Sequence, residues 1–294
     1  MVREREIHMA NWDKIGSSGN VEDRRGAATQ FALGGGGMGL AVLAIVTLFN
    51  IFSGGQTNIP VDEILNQLQQ VSVQQQPKQD ATQFQGVDSY EKFASTVLGS
   101  TNDVWTSVFK QKNKVYQPSK LVLFRDATQS GCGFATSQVG PHYCPVDQTI
   151  YLDETFFDEL TKRFGAKGGD VAQAYVIAHE VGHHVQNQLG IMDELESAQA
   201  RGSHQANKVS VQVELQADCF AGVWANSLKD VGVFENGEIN EAIDAAAAVG
   251  DDRIQEKAQG YTDPESWTHG SSEERVYWFN QGYETGQPSK CSTI

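Results

Sequence analysis

The sequence predicts an α+β fold over residues 87–294, mostly helical with a small β-sheet, preceded by one apolar segment long enough to cross a bilayer. Three observations predict it. Two short β-branched and aromatic runs, Leu121–Phe124 and Thr149–Leu152, read as strands and come early in the domain. Beyond them, apolar residues recur at helical spacing in one stretch after another, and a few strands followed by many helices is the α+β pattern. Ahead of the domain, Phe31–Phe52 (FALGGGGMGLAVLAIVTLFNIF) carries no charge over 22 residues. At helical rise that is about 33 Å, enough for a hydrocarbon core.

The chain has 294 residues and a formal net charge of -15. Residues 1–25 hold five basic and five acidic side chains and balance to zero, so the acidic excess lies beyond the apolar segment. An acidic body excludes nucleic-acid binding through charge and says little about substrate. Basic residues crowd the N-terminal side of Phe31–Phe52, and no Lys or Arg follows until Lys78. The positive-inside rule then predicts a signal anchor in the inner membrane, its contact with lipid running through residues 31–52. It puts residues 1–30 in the cytoplasm as a tail and the domain on the periplasmic side. Four cysteines outside the cytoplasm imply disulfides: Cys132 with Cys144, twelve residues away, leaving Cys219 with Cys291.

Residues 53–86 are Gln-rich and too poor in large apolar side chains to bury a core, hence a linker. Asp88–Gln111 has helical spacing with an expected break at Gly99, and Gly131–Pro145 is a Gly- and Cys-rich loop or hairpin. Helices are expected around Glu154–Phe164, Ala174–Gly190, Val209–Leu228, Ile239–Val249 and Ser272–Gly282.

The stretch AYVIAHEVGHHVQNQLG, Ala174–Gly190, contains His179-Glu180-Val181-Gly182-His183. On a helix, positions i and i+4 share a face, so both imidazoles reach one metal ion, with Glu180 beside them to act on water. Asp170 is the expected N-cap and Gly190 the C-terminal stop. A catalytic zinc takes three protein ligands, so a third is needed. Glu214 and Asp218 share one face of the Val209–Leu228 helix. Glu214 is the expected third ligand, and Asp218 the group bracing a liganding His through its other ring nitrogen. His184 is rotated about 100° from His183 and leaves that face. His142 and His204 read as loop residues, and His8 as cytoplasmic. His269 precedes an S-x-x-E helix start at Ser271–Glu274, where it could stabilise an oxyanion; Arg275 could serve instead or hold His269 in place.

These residues resemble the bacterial "putative neutral zinc metallopeptidase" family. The matching segments are NVEDRRG (Asn20–Gly26), GPHYCP (Gly140–Pro145), IYLD (Ile150–Asp153), AYVIAHEVGHHVQ (Ala174–Gln186), VELQADCFAGVWA (Val213–Ala225), GDDRIQ (Gly250–Gln255) and THGSSEER (Thr268–Arg275). One departure is His142, where an aromatic is expected before Tyr143. The resemblance implies a zincin-like, gluzincin-type domain with Zn2+ on His179, His183 and Glu214. It implies an endopeptidase-type hydrolase acting on a peptide or protein, Glu180 as general base and His269 assisting the oxyanion. Strand Thr149–Leu152 is expected to pair with an extended substrate. Two rivals are a zinc-stabilised tethered adaptor without turnover and a zinc amidase acting on cell-wall peptides.

Overall fold

The computed structural model describes residues 10–25 and 88–294. It is α+β, with eight α-helices and six strands among the described residues. The principal sheet has the order β1 (Asn20–Asp23), β2 (Lys120–Leu123), β6 (Thr149–Leu152), β5 (His142–Cys144). The first three strands run parallel, and β5 closes the edge antiparallel to β6. Strands β3 (Ala127–Ser130) and β4 (Gly133–Thr136) form a separate hairpin. All four residues of β6 are buried, as expected of a strand paired on both sides. Thr149–Leu152 therefore has no free edge for a substrate; β5 holds that edge.

The helices are α1 (Ser89–Gln111), α2 (Phe156–Lys162), α3 (Asp170–Leu189), α4 (Ile191–Arg201), α5 (Ser203–Ser227), α6 (Ile239–Ala248), α7 (Asp251–Gln259) and α8 (Ser272–Thr285). Helix α1 runs unbroken through Gly99. That glycine instead admits the backbone of Ser18 and Gly19, which a Cβ would strike. Helices α5 and α8 cross where Gly222 meets the backbone at Phe279 and Gly282 meets the backbone at Cys219, too close for any Cβ. Both expected disulfides are present: Cys132–Cys144 ties the β3–β4 hairpin to β5, and Cys219–Cys291 ties α5 to the C-terminus.

Residues 10–25 fall within the stretch read as a tail, yet they are built into this body. Strand β1 pairs in register with β2, Val21 opposite Leu121. Trp12 is buried against Phe93, Trp224 and Phe234. The Arg25 side chain, 2% exposed, joins Asp23, Asp88 and Glu154 in ion pairs. These residues and 88–294 belong to one compact unit.

This corrects the membrane placement expected from the sequence. A single crossing between residues 25 and 88 would put the two paired strands on opposite sides of the bilayer. Among the described residues no helix is long and apolar enough to cross a membrane. The segment Phe31–Phe52, the linker 53–86 and His8 lie outside the described residues.

Candidate metal centre

Helix α3 carries the H-E-x-x-H residues and α5 crosses it. The crossing is tight because position 182 is Gly, where a Cβ would lie 3.1 Å from the Cα of Ala217. This brings the carboxylates of α5 onto the imidazoles of α3. His179 Nε2 lies 3.1 Å from Glu214 Oε2, and His183 Nε2 lies 3.4 Å from Glu214 Oε1. One donor atom from each of His179, His183 and Glu214 falls within 4.8 Å of the others, so the group could hold a metal ion.

The N-terminus of α3 is not built as expected. Gly169 is the N-cap, with φ 112°, a conformation reserved for glycine. Asp170 is the first helical residue, and its carboxylate accepts instead from Ala10 N (2.8 Å) and Trp12 Nε1 (2.5 Å). At the other end Gly190 is the left-handed C-cap, as expected.

Asp218, fully buried, accepts from His179 Nδ1 (2.9 Å), the Tyr175 hydroxyl (2.5 Å), Arg275 Nε (2.8 Å) and Arg275 Nη2 (3.0 Å). A carboxylate on Nδ1 demands a proton there and leaves Nε2, which faces Glu214, as the nitrogen that a metal would take. Arg275 is thus committed to Asp218, with Nη2 also 4.0 Å from Glu214. Its charge reaches His269, whose pKa it lowers, but among the described residues no hydrogen bond joins the two. His183 Nδ1 faces Gln186 Oε1 at 2.9 Å.

The electrostatics favour a cation. Burial opposes ionisation of Glu214, but His183 and His179 outweigh it and hold the carboxyl well below the usual range. Burial likewise opposes the charge on Asp218, and Arg275 and His179 hold it low. Burial disfavours a charged His179, yet Asp218 and Glu214 raise its pKa to about 10. Glu180 is also buried, and its Oε2 has no hydrogen-bond partner among the described residues. Two carboxylates, the fully buried Asp218 and the largely covered Glu214, thus share one permanent cation, Arg275. A divalent ion on a His–His–carboxylate set supplies the missing charge, and that donor set suits zinc.

His269 belongs to the same cleft, with its side chain 49% exposed. Its Nδ1 is 3.2 Å from Asp251 Oδ1, while Asp251 Oδ2 accepts from the backbone N–H of Thr268, His269 and Gly270. Burial lowers the His269 pKa, but Asp251 and Glu214 prevail and raise it. The expected capping box is present at Ser271 and Glu274. The sequence does not signal this role of Asp251, which lies in the GDDRIQ segment 18 positions before His269.

His184 leaves the metal face, as its rotation requires, and is buried against Tyr143 Oη (3.0 Å) and Gln117 O (2.6 Å). His142 is a strand residue rather than a loop residue; it stacks on Tyr151 and lines the cleft. His204 lies on α5. The cleft has a volume of about 580 Å³, with Val139, Pro141, Phe156, Phe164, Val176 and Ile254 among its apolar walls.

A family model described as "Putative neutral zinc metallopeptidase" matches residues 10–294. YpfJ, an uncharacterized protein of Escherichia coli K12, is 41% identical over 291 residues, covering 96% of this chain and 98% of YpfJ. Rv2575, an uncharacterized protein of Mycobacterium tuberculosis H37Rv, is 43% identical over 219 residues, covering 71% of this chain and 73% of Rv2575. No solved structure matches the chain. A zinc peptidase family implies Zn2+ as cofactor and a peptide or protein as substrate. With the His–His–Glu group in place to receive that ion, the chain belongs to the family described as "Putative neutral zinc metallopeptidase".

Proposed function

We propose that the protein is a zinc-dependent peptidase that hydrolyses peptide bonds in this cleft, with a zincin-like arrangement of α3, α5 and the β5 edge. The observation that carries the reading is a buried Glu180 carboxylate with an unpartnered oxygen, beside three potential ligands, on an open apolar cleft. His179, His183 and Glu214 would hold the ion. Bound there, zinc supplies Lewis acidity towards a water molecule and the scissile carbonyl. Glu180 accepts the proton of the attacking water and delivers it to the leaving amine. Asp218 keeps the proton of His179 on Nδ1, braced by Arg275 and Tyr175.

His269 donates to the developing oxyanion through Nε2, because Nδ1 is engaged by Asp251 and Thr268. The outer edge of β5, unpaired among the described residues and with His142 and Tyr143 lining the cleft, pairs with an extended peptide. An adaptor without turnover has no need of the Glu180 carboxylate, which is costly to bury. The test is a Glu180→Gln substitution in the full-length chain, incubated with zinc and either a peptide library or cell-wall peptides. Zinc should still bind while cleavage is lost. Undiminished cleavage in that variant would remove the assignment, and the substrate set that is cut separates peptidase from amidase.

A further inference from the structure

The two histidines of α3 are oriented by different chemistry. His179 faces a carboxylate, whereas His183 faces the amide of Gln186, one turn further along α3. Gln186 is fully buried, so every polar atom of its side chain must find a partner inside the protein. Its Nε2 donates to Val213 O (2.7 Å) and to Gln216 Oε1 (3.1 Å). Gln216, 6% exposed, donates in turn from Nε2 to Cys291 O at 2.9 Å. Cys291 is the residue bonded to Cys219 on α5.

The proton directions in this chain follow from its ends. Backbone carbonyls only accept, so Cys291 O requires the NH2 of Gln216 and leaves Gln216 Oε1 facing Gln186. Val213 O and Gln216 Oε1 both require the NH2 of Gln186, which turns Gln186 Oε1 towards His183. That oxygen also only accepts, so His183 carries its proton on Nδ1 and keeps the Nε2 lone pair on the side of Glu214. Flipping either amide would set oxygen against oxygen between two buried side chains.

Resting on the zinc reading above, we infer that Gln186 is a positioning residue for the metal centre. It holds His183 in its zinc-binding tautomer, and Gln216 carries that orientation back to the disulfide-anchored C-terminus. Neither glutamine touches the reacting atoms. Their effect is on the affinity and geometry of the ion, and groups placed this way on a liganding His typically govern affinity by about 10- to 100-fold.

The test compares the full-length parent with Gln186→Met, Gln186→Glu and Gln216→Met, by competition for zinc against a chromophoric chelator. Gln186→Met keeps the bulk and removes the acceptor; it should lose zinc affinity by about 10- to 100-fold. Gln186→Glu keeps an acceptor on His183 Nδ1 and, as the neutral acid, one donor for Val213 O in place of the two bonds of the amide. It should recover part of the loss, which a purely structural role would not do. Gln216→Met should lose less, since Val213 O still orients Gln186. It also keeps the question decidable if Gln186→Met does not fold. Parental affinity in Gln186→Met, or no recovery in Gln186→Glu, overturns the role of Gln186; parental affinity in Gln216→Met overturns the link to Cys291. A parent chain that takes up no zinc would instead sink the peptidase reading.

Discussion

Replacing Glu241 with Gln should raise the melting temperature of the zinc-loaded protein at alkaline pH and change it little in acid. Glu241 sits on α6 and accepts from Val171 N at the start of α3, the helix that carries His179 and His183. Burial pushes its pKa up, the Val171 backbone bond opposes this, and Asp170 and Glu238 push it further, to about 7 from 4.5. A raised folded value means the protonated form is favoured in the folded chain. The contribution is therefore fully present below the unfolded value of 4.5 and is lost as pH rises through about 7. At roughly 1.4 kcal/mol for each pH unit, the ceiling is about 3 kcal/mol. Glu241 is only partly buried, and solvent screening reduces this to roughly 1 kcal/mol. Gln keeps the acceptor for Val171 without the charge, and roughly 1 kcal/mol is a gain of about 2–4 °C for a domain of this size. Calorimetry at pH 5 and pH 8.5, with zinc in excess, measures it. An equal shift at both pH values, or destabilisation at pH 8.5, would refute the reasoning, since it would mean that the charge itself holds the helix.

Two further outcomes follow from the same contacts. Asp251 raises the pKa of His269, so a reaction that uses the charged imidazole keeps its rate as pH rises until that raised value is passed. Asp251→Asn should move the alkaline limb of kcat/KM to lower pH, and an unmoved limb would separate His269 from the chemistry. Gly282→Ala drives a methyl group into the Cys219 carbonyl at the α5–α8 crossing. It should cost at least about 3 kcal/mol, lowering the melting temperature by roughly 6–12 °C, and a drop below about 2 °C would mean that the crossing yields.

The meeting of the candidate ligands was largely legible because it is written in helical periodicity. His179 with His183 and Glu214 with Asp218 are both i, i+4 pairs, and any pair of that spacing shares a face whatever the tertiary fold. What joined the two faces was less visible, although Gly182 inside the motif marks the close approach of α5. Arg275 was legible as a charged residue near the site but not in its direction, because a guanidinium can turn either way until its partner's position is known. The Gln186 contact is local, three residues from His183. Uncharged amides carry no signal in a sequence until their burial is known.

The strand edge open to a substrate depends on sheet order. Thr149–Leu152 and His142–Cys144 differ in that respect only through long-range pairing, which periodicity does not encode. The same holds for Trp12, one aromatic residue in a polar stretch, whose partners lie some 80 to 220 positions away. Positive-inside logic went wrong at that point, because it reads charge on either side of an apolar segment and has no knowledge of which strands will pair.

The ion pair between Arg25 and Asp88 has a consequence for how the chain can be cut and rejoined. At 3.0 Å it brings together two positions 63 apart in the sequence. The 62-residue cassette numbered 26–87 is therefore bracketed in the sequence by two residues that are neighbours on the body. Replacing them with a bridge of about eight residues should leave the sheet and the metal centre standing, and shorten a closed loop at a gain of about 2 kcal/mol. A melting temperature lower in the bridged chain than in the parent would show that the cassette holds the body together by more than its two ends.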